Sequence, residues 1–362
     1  MSLWSNMSKI VFINDTHHGI KNDSPVFRQY MGKFYDDILF PYIEKNGIKT
    51  IIHLGDGFDK RKYSNFETLN YFRNKFVKPL EKLNITLHHI LGNHDVYFRN
   101  SLEVNSMKEI YGYHPNVKIY DKFQDVEIDG FKFAVFPWIN EENQIEFEDF
   151  LTKSSATVAL GHFEIKGFQV LRGVQSEHGI DKDLLNTYEA VYSGHFHQKH
   201  DNGHIYYLGT QYDMTFADVN EKKGFHVFDT ETKKLEFIEN PYKIFHKIIY
   251  DEKFDIKSIN FGSLKDCYVK IIVKKKPDIK QFDGFMDMIY NVNPAEVSVV
   301  EEMDLFINPT EEIDQTQDTV SLICKEIEGI EMTERIPALK KIANDLYNES
   351  YDVVGKDDSN DE

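Results

Sequence analysis

Five short polar motifs, each closing an apolar run with β character, constrain this chain more than any other feature of it. They are Asp15-Thr-His17, Gly55-Asp56, Gly92-Asn93-His94-Asp95, Gly161-His162 and Gly194-His195-Phe-His197. Strand ends of an α/β sheet converge on one rim, where ligands bind. Carboxylates, imidazoles and a carboxamide oxygen meeting there suit hard to borderline divalent cations. A lone Gly-His or His-x-His is more often a structural turn, and Asp56 alone could cap a helix. Gly-Asn-His-Asp is more demanding, because three polar side chains after an apolar strand are costly unless they are used. Five such motifs in one order are hard to obtain from unrelated structural causes.

Ligand chemistry assigns the roles. Asp15 and His17 lie two apart, so on an extended segment they point the same way and can bind one ion, which His197 completes. His162, His195 and the Asn93 amide oxygen form a second set. A carboxylate can bridge two cations with its two oxygens, which makes Asp56 the shared ligand. Two cations about 3.5–4 Å apart activate a nucleophile and neutralise a phosphate attacked in line. His94 stands beside the substrate rather than on a metal, stabilising the transition state and protonating the leaving oxygen, worth about 10²–10⁴-fold. Asp95 is expected to orient the His94 ring from behind. The adjoining glycines 55, 92, 161 and 194 let the backbone turn sharply beneath the metals. His18, His53, His88 and His89 are read as packing residues, and the run Asp59-Lys60-Arg61-Lys62 either contacts a phosphate backbone or is a solvated loop.

Along the first 240 residues short β-rich runs alternate with amphipathic stretches, which is an α/β pattern. Strands are expected at 9–14, 50–54 and 86–91. Two helices carry apolar stripes, one at Phe27, Tyr30, Met31, Phe34, Ile38 and Tyr42, the other at Phe66, Leu69, Phe72, Phe76 and Leu80. Further short strands run from 117 to 238, with Asp129-Gly130 as a hairpin signal. Residues 241–300 read as a small α+β module with strands at 267–273 and 296–300 around a helix at 282–290. An acidic linker covers 301–316, apolar stripes give a helix pair over 317–350, and 351–362 is a disordered tail.

Composition sets the outer bounds. No run approaches the roughly 18 apolar residues of a membrane span, and the opening MSLWSN lacks the basic-then-apolar order of a secretion signal. Two distant cysteines, Cys267 and Cys324, argue against a disulfide scaffold and for a reducing cytoplasm. The net charge of −18 is uneven: residues 301–362 hold 18 acids against 5 bases, leaving only −5 for the first 300. A basic groove elsewhere is therefore compatible with the total.

In this order the five motifs resemble the calcineurin-like metallophosphoesterase superfamily. More narrowly, the chain is similar to the SbcD-type nuclease subunits of double-strand-break processing complexes, in the version carried by T-even-like phages. GDGFDKRK at 55–62, FPWINEEN at 136–143, GHFEIKGF at 161–168, VYSGHFHQ at 191–198 and LGTQYDMTFAD at 208–218 carry the likeness. The resemblance implies a four-layered αββα catalytic domain, a small α+β cap and a C-terminal helix pair. It implies Mn²⁺ as the preferred pair of ions, and DNA cleaved by 3′→5′ exonuclease and single-strand endonuclease action. Its implied partner is an SMC-like coiled-coil ATPase docked on 317–350, with a homodimer through helices of the catalytic domain also expected. Some relatives have His where this chain has Asp59. Lys60-Arg61 after the Gly-Asp motif departs from the Arg-Gly of Ser/Thr phosphatases. A phosphomonoesterase or cyclic-nucleotide phosphodiesterase acting on a small substrate, and a non-catalytic scaffold for the ATPase, remain the alternative readings.

Overall fold

The computed structural model describes residues 9–171, 174–276 and 278–301. The acidic linker beyond Glu301, the helix pair, the acidic tail and Cys324 lie outside the described residues.

Alternation along the first strand shows how the layers arise. In β1 (Lys9–Ile13) Ile10 and Phe12 point to one face and Val11 and Ile13 to the other, and all four are buried. A strand apolar on both faces needs a layer on each side. With β2 (Thr50–His53), β3 (Thr86–Ile90), β4 (Val117–Tyr120), β13 (Gly224–Asp229) and β14 (Leu235–Glu239) it forms a sheet ordered β14-β13-β1-β2-β3-β4. β1 to β4 run parallel, whereas β13 and β14 add antiparallel strands.

A second sheet is built from β5 (Gln124–Ile128), β6 (Phe131–Phe136), β7 (Val158–Gly161), β10 (Ala190–Ser193), β11 (His200–Asp201) and β12 (Ile205–Tyr207), in the order β11-β12-β10-β7-β6-β5. β8 (Gln169–Leu171) and β9 (Val174–Gln175) pair as a small separate ribbon. The expected hairpin at Asp129-Gly130 is present, both residues taking the positive φ of a primed turn between β5 and β6.

Three apolar layers hold the sheets. Ile10, Phe12, Ile52, Leu54 and Ile90 face Phe133, Val135, Val158, Leu160 and Tyr192 across the interior between the two sheets. On its outer face the first sheet packs against the helices between residues 25 and 46 and between 66 and 83. The outer face of the second sheet covers Phe147 of helix Gln144–Lys153. The architecture is the αββα sandwich expected from the resemblance.

Both long helical stretches depart from the simple stripe. Each contains a π turn, at Tyr35–Leu39 and at Arg73–Val77. A π turn inserts one residue into the α-helical period. In the first stretch the core positions beyond Phe34 therefore become Leu39 and Ile43, and the stripe residues Ile38 and Tyr42 are left half-buried. Phe66, placed on the second stripe, is 87% exposed at its helix start. Helices Ser106–Tyr111 and Gln144–Lys153 are not legible as stripes.

Residues beyond 240 add a third sheet, β15-β16-β17, all parallel: β15 (Phe245–Tyr250), β16 (Tyr268–Val273) and β17 (Glu296–Glu301). Helix Ile279–Tyr290, capped by the Asp278 carboxylate, buries Phe282, Phe285 and Ile289 against it. β15 is a strand that the sequence pattern does not reveal. Among the described residues, no helix is long and apolar enough to cross a membrane.

Candidate metal centre

All five motifs sit just beyond strand ends of the two facing sheets. β1, β2 and β3 deliver Asp15, His17, Asp56 and Asn93 from one sheet; β7 and β10 deliver His162, His195 and His197 from the other. Every one of the seven expected ligands arrives in the same place.

Two overlapping clusters result. In the first, His17 Nε2 lies 3.8 Å from Asp15 Oδ1, 3.7 Å from Asp56 Oδ2 and 3.2 Å from His197 Nε2. In the second, Asn93 Oδ1 lies 3.0 Å from His162 Nε2 and 3.1 Å from His195 Nδ1, and His162 Nε2 is 3.3 Å from Asp56 Oδ2. Metal bonds of about 2.1 Å separate neighbouring donors by about 3.0–3.4 Å in tetrahedral or octahedral arrangements. Asp56 Oδ2 touches both clusters: it is buried, accepts no backbone N–H, and faces the ring nitrogens of His17 at 3.7 Å and His162 at 3.3 Å. A buried carboxylate oxygen in that position needs positive charge beside it, which a protonated His162 or a metal ion supplies. The donor set fits a pair of divalent ions.

Hydrogen bonds aim each carboxylate. The His195 backbone N–H is shared between Asp15 Oδ2 at 3.0 Å and Oδ1 at 3.2 Å, and Asn14 Nδ2 donates to Oδ2 at 2.5 Å, so Oδ1 is the less committed oxygen and the one that faces His17. Asp56 Oδ1 accepts from the His94 N–H at 2.7 Å. The expectation that Asp56 bridges with both oxygens is corrected here: Oδ1 is committed to the backbone, and Oδ2 alone faces the two clusters. His162 Nδ1 donates to the Leu54 carbonyl at 2.7 Å, so Nε2 is the ring nitrogen turned toward the other donors.

The backbone beneath the centre is unusual. Asp15, His17, Asp56 and His195 all have positive φ, between 41° and 84°. L-residues adopt this region at a cost of order 1–3 kcal/mol each, which persists only where surroundings over-determine it. Asp15 and His17 thus share a direction for a reason other than the extended-segment alternation inferred from their spacing. Of the four motif glycines only Gly55 has positive φ, +98°. Gly92 is required by close approach instead, since a Cβ there would stand 2.2 Å from Asp56 Oδ1.

Burial and charge divide the titrating groups. Burial, with neighbouring imidazoles, holds His17 and His195 well below the ordinary histidine range, which preserves their lone pairs. His162 suffers the same desolvation, but the Asp56 and Asp15 carboxylates outweigh it and lift it to about 9. Asp15 is raised by burial, whereas Asp56 is driven well below its usual value because the surrounding histidines overcome its desolvation.

His94 and Asp95 part company. His94 Nδ1 donates to the Asp59 carbonyl at 2.5 Å, which directs Nε2 away from that loop, and its ring meets His17 edge-on at 4.8 Å. It also offers a ring nitrogen within 4.8 Å of donor atoms of His17 and Asp56. Asp95, expected behind the His94 ring, is not there. Its buried carboxylate accepts from the N–H groups of Asp56, Gly57 and Gly92 at 2.8–2.9 Å and from His89 Nε2 at 2.9 Å. Asp95 binds the loops after β2 and β3 together through these four donors, while the His94 ring is held instead by the Asp59 carbonyl.

The excluded histidines behave as expected. His18 contacts the Tyr35 hydroxyl at 3.0 Å, His53 pairs with Thr16 Oγ1 at 3.0 Å, and His88 pairs with the Tyr120 hydroxyl at 2.7 Å. Three supports escape sequence reasoning. Gln211 pairs its amide with the Asn14 backbone, Lys223 donates to the His197 carbonyl at 2.8 Å, and the Trp138 ring lies 5.2 Å from that of His195. The first two act across 197 and 26 residues, with no local signal to reveal them. Trp138 is legible only as part of a family-like segment.

An αββα sandwich with paired carboxylate, imidazole and amide donors at its strand ends defines a metal-dependent phosphoesterase. The chain belongs to the calcineurin-like phosphoesterase family, whose model matches residues 8–199. Among curated proteins, Exonuclease subunit 1 of enterobacteria phage T4 is 34% identical over 349 residues, spanning 94% of this chain and 99% of its own. The SbcD component of the nuclease SbcCD of Staphylococcus epidermidis is 22% identical over 227 residues, covering 54% of this chain and 59% of its own. A solved archaeal phosphodiesterase covers 64% of this chain and 99% of its own at 18% identity with a TM-score of 0.32, too loose a likeness to argue from.

Proposed function

We propose that this chain is the nuclease subunit of a DNA-processing complex and hydrolyses phosphodiester bonds with two divalent cations, Mn²⁺ by preference. The observation that carries the reading is the buried Asp56 Oδ2, shared between the two donor clusters. Asp15, His17, Asp56 and His197 would hold one ion; Asp56, Asn93, His162 and His195 would hold the other. When bound, such a pair supplies a nucleophile at neutral pH and neutralises charge on the phosphate.

The chain's own groups do the rest. His94, held through Nδ1 by the Asp59 carbonyl, presents Nε2 to the phosphate and gives a proton to the departing oxygen. Asp95 fixes the loops that carry Asp56 and Asn93. Trp138 walls one side of the second cluster, beside His162 and His195.

The nuclease role and a partner subunit are supported by likeness to the two relatives, both named as subunits of nucleases. The DNA substrate, 3′→5′ exonuclease and single-strand endonuclease action and a coiled-coil ATPase as that partner rest on the resemblance to SbcD-type subunits. The same reading makes residues 1–240 the catalytic domain, 241–300 a cap and 317–350 the docking segment, in a cytoplasmic enzyme. The test is Mn²⁺-dependent cleavage of linear duplex and single-stranded DNA by the chain alone and with its ATPase. Turnover of a small chromogenic phosphoester with no DNA hydrolysis under either condition would refute the nuclease assignment.

A further inference from the structure

Beyond the metal-binding motifs, the loop that follows Gly-Asn-His-Asp carries a feature that packing does not explain. Tyr97 and Phe98 come three and four residues after His94 and are 38% and 51% exposed, with ring centroids 4.7 Å apart, edge to face. Three residues of chain reach at most about 11 Å, which bounds the distance of Tyr97 from His94 along the backbone. The loop is not loose at its base. Val96 bridges Asn105, the Tyr97 N–H bonds to the Val104 carbonyl at 2.9 Å, and the Ser106 N–H bonds to the Asp95 carbonyl at 2.8 Å. Asn100 further ties the loop to Glu142 at 2.7 Å.

One cation lies beside Tyr97 and a second beside the neighbouring exposed ring of Tyr63. The Lys62 ammonium lies 5.9 Å from the centre of the Tyr97 ring, and the Lys60 ammonium lies 4.9 Å from that of Tyr63, itself 65% exposed. Arg61 between them donates to the Val96 carbonyl at 3.1 Å, fastening the basic run to the aromatic loop. The same run begins at Asp59, whose carbonyl holds His94. The exposed Lys62, and Lys60 with its Asp23 partner at 3.5 Å, beside exposed aromatic rings form the pairing that binds single-stranded nucleic acid: cations track the backbone and rings stack on bases.

We infer that Tyr97 and Phe98, with Lys60 and Lys62, form a stacking platform that seats unpaired nucleotides of the substrate strand next to the metal centre. The inference rests on the nuclease reading and sharpens it, since a platform of this kind favours single-stranded or frayed ends over closed duplex. None of these side chains belongs to the donor clusters, so turnover of a small ester is independent of them.

The test uses the full chain and two probes. One is bis(p-nitrophenyl) phosphate with Mn²⁺; the other is a short single-stranded oligonucleotide carrying 2-aminopurine, bound in EDTA so that stacking is read as fluorescence quenching without turnover. Tyr97→Ala with Phe98→Ala is expected to weaken oligonucleotide binding about tenfold per ring and to abolish the quenching, with ester turnover within about twofold of the parent. Tyr97→Phe with Phe98→Tyr should retain both. Lys60→Gln and Lys62→Gln should each lower the slope of log K against log salt by about 0.7, which the aromatic changes leave intact. Unchanged affinity and quenching in the alanine variant, or equal losses on ester and oligonucleotide, would overturn the platform while leaving the nuclease reading standing. A parent chain that turns over the ester but neither binds nor cleaves any oligonucleotide would overturn both. Loss of ATPase association with normal oligonucleotide binding would mark the loop as a protein contact and also overturn the proposal.

Discussion

Adjacent residues of one motif do different work here. His94 and Asp95 are neighbours in Gly-Asn-His-Asp, yet one aims its ring toward the reaction and the other ties two loops together. Their variants should separate cleanly. His94→Ala is expected to keep two metal ions per chain and to lose about 10²–10⁴-fold in kcat, measured by metal analysis beside a steady-state assay. Asp95→Ala should instead destabilise the metal-free protein by about 3 kcal/mol or more, because buried N–H groups lose their acceptor. Urea unfolding of the two variants decides this, and equal stability of Asp95→Ala and parent would remove the loop-tying role. Residue identity is readable for both, and the direction of their hydrogen bonds is not. Which group faces Asp95 depends on the approach of Asp56, Gly57 and His89, from 6 to 39 residues away.

Helices show a different kind of partial legibility. The first stripe correctly locates a helix from Pro25 onward, and its first four members Phe27, Tyr30, Met31 and Phe34 are buried. Beyond them the π turn moves the core-facing positions by one residue, to Leu39 and Ile43. A period of 3.6 cannot anticipate one inserted residue, because both continuations are apolar. The insertion makes a prediction. Removing the exposed Asp37 from the π turn restores the α-helical period without rotating the helix that follows, so the variant should stay folded. Removing the exposed Gln29 from the regular part should rotate all later core residues by about 100° and collapse stability. Circular dichroism and thermal unfolding of the two deletions provide the comparison, and equal damage from both would contradict the π-turn account.

At the scale of the whole molecule the metal centre depends on the registration of two sheets, since its donors come from both. Phe12, Phe133, Tyr192 and Phe228 pack between them with ring centroids 5.5–6.3 Å apart. Phe133→Ala should cost about 3–5 kcal/mol and also weaken Mn²⁺ binding. Phe285→Ala, in the core of the third sheet, should carry a similar stability cost with unchanged metal affinity. Calorimetric titration of both variants with Mn²⁺ tests this dependence. Burial also makes stability sensitive to acid. Desolvation lowers His88 to about 4 and His226 to about 3, with nearby lysines adding to the effect. The unfolded chain takes up these protons below about pH 6.5 while the folded chain does not, so their contribution is complete above that pH and lost as pH falls toward 4 and then 3. Each steepens the decline by about 1.4 kcal/mol per pH unit. His226→Phe should remove one such increment from the slope between pH 6 and 5, and an unaltered slope would count against it.

The sequence by itself determined the donor types, their order along the chain and their place after strands, because residue identity and a period of two survive without coordinates. It therefore yielded the α/β class and the seven candidate donors that the fold brings to one place. Only the tertiary structure decided that Asp56 offers one oxygen rather than two, and that Asp95 serves the loops instead of His94. It also decided that strained backbone at positive φ, rather than an extended segment, aims Asp15 and His17. These outcomes turn on contacts between residues up to 180 positions apart, such as the His195 N–H on Asp15, and they exist only once the two sheets have closed on each other. A one-dimensional pattern fixes what a side chain can donate or accept, and the packing of layers selects which partner it meets.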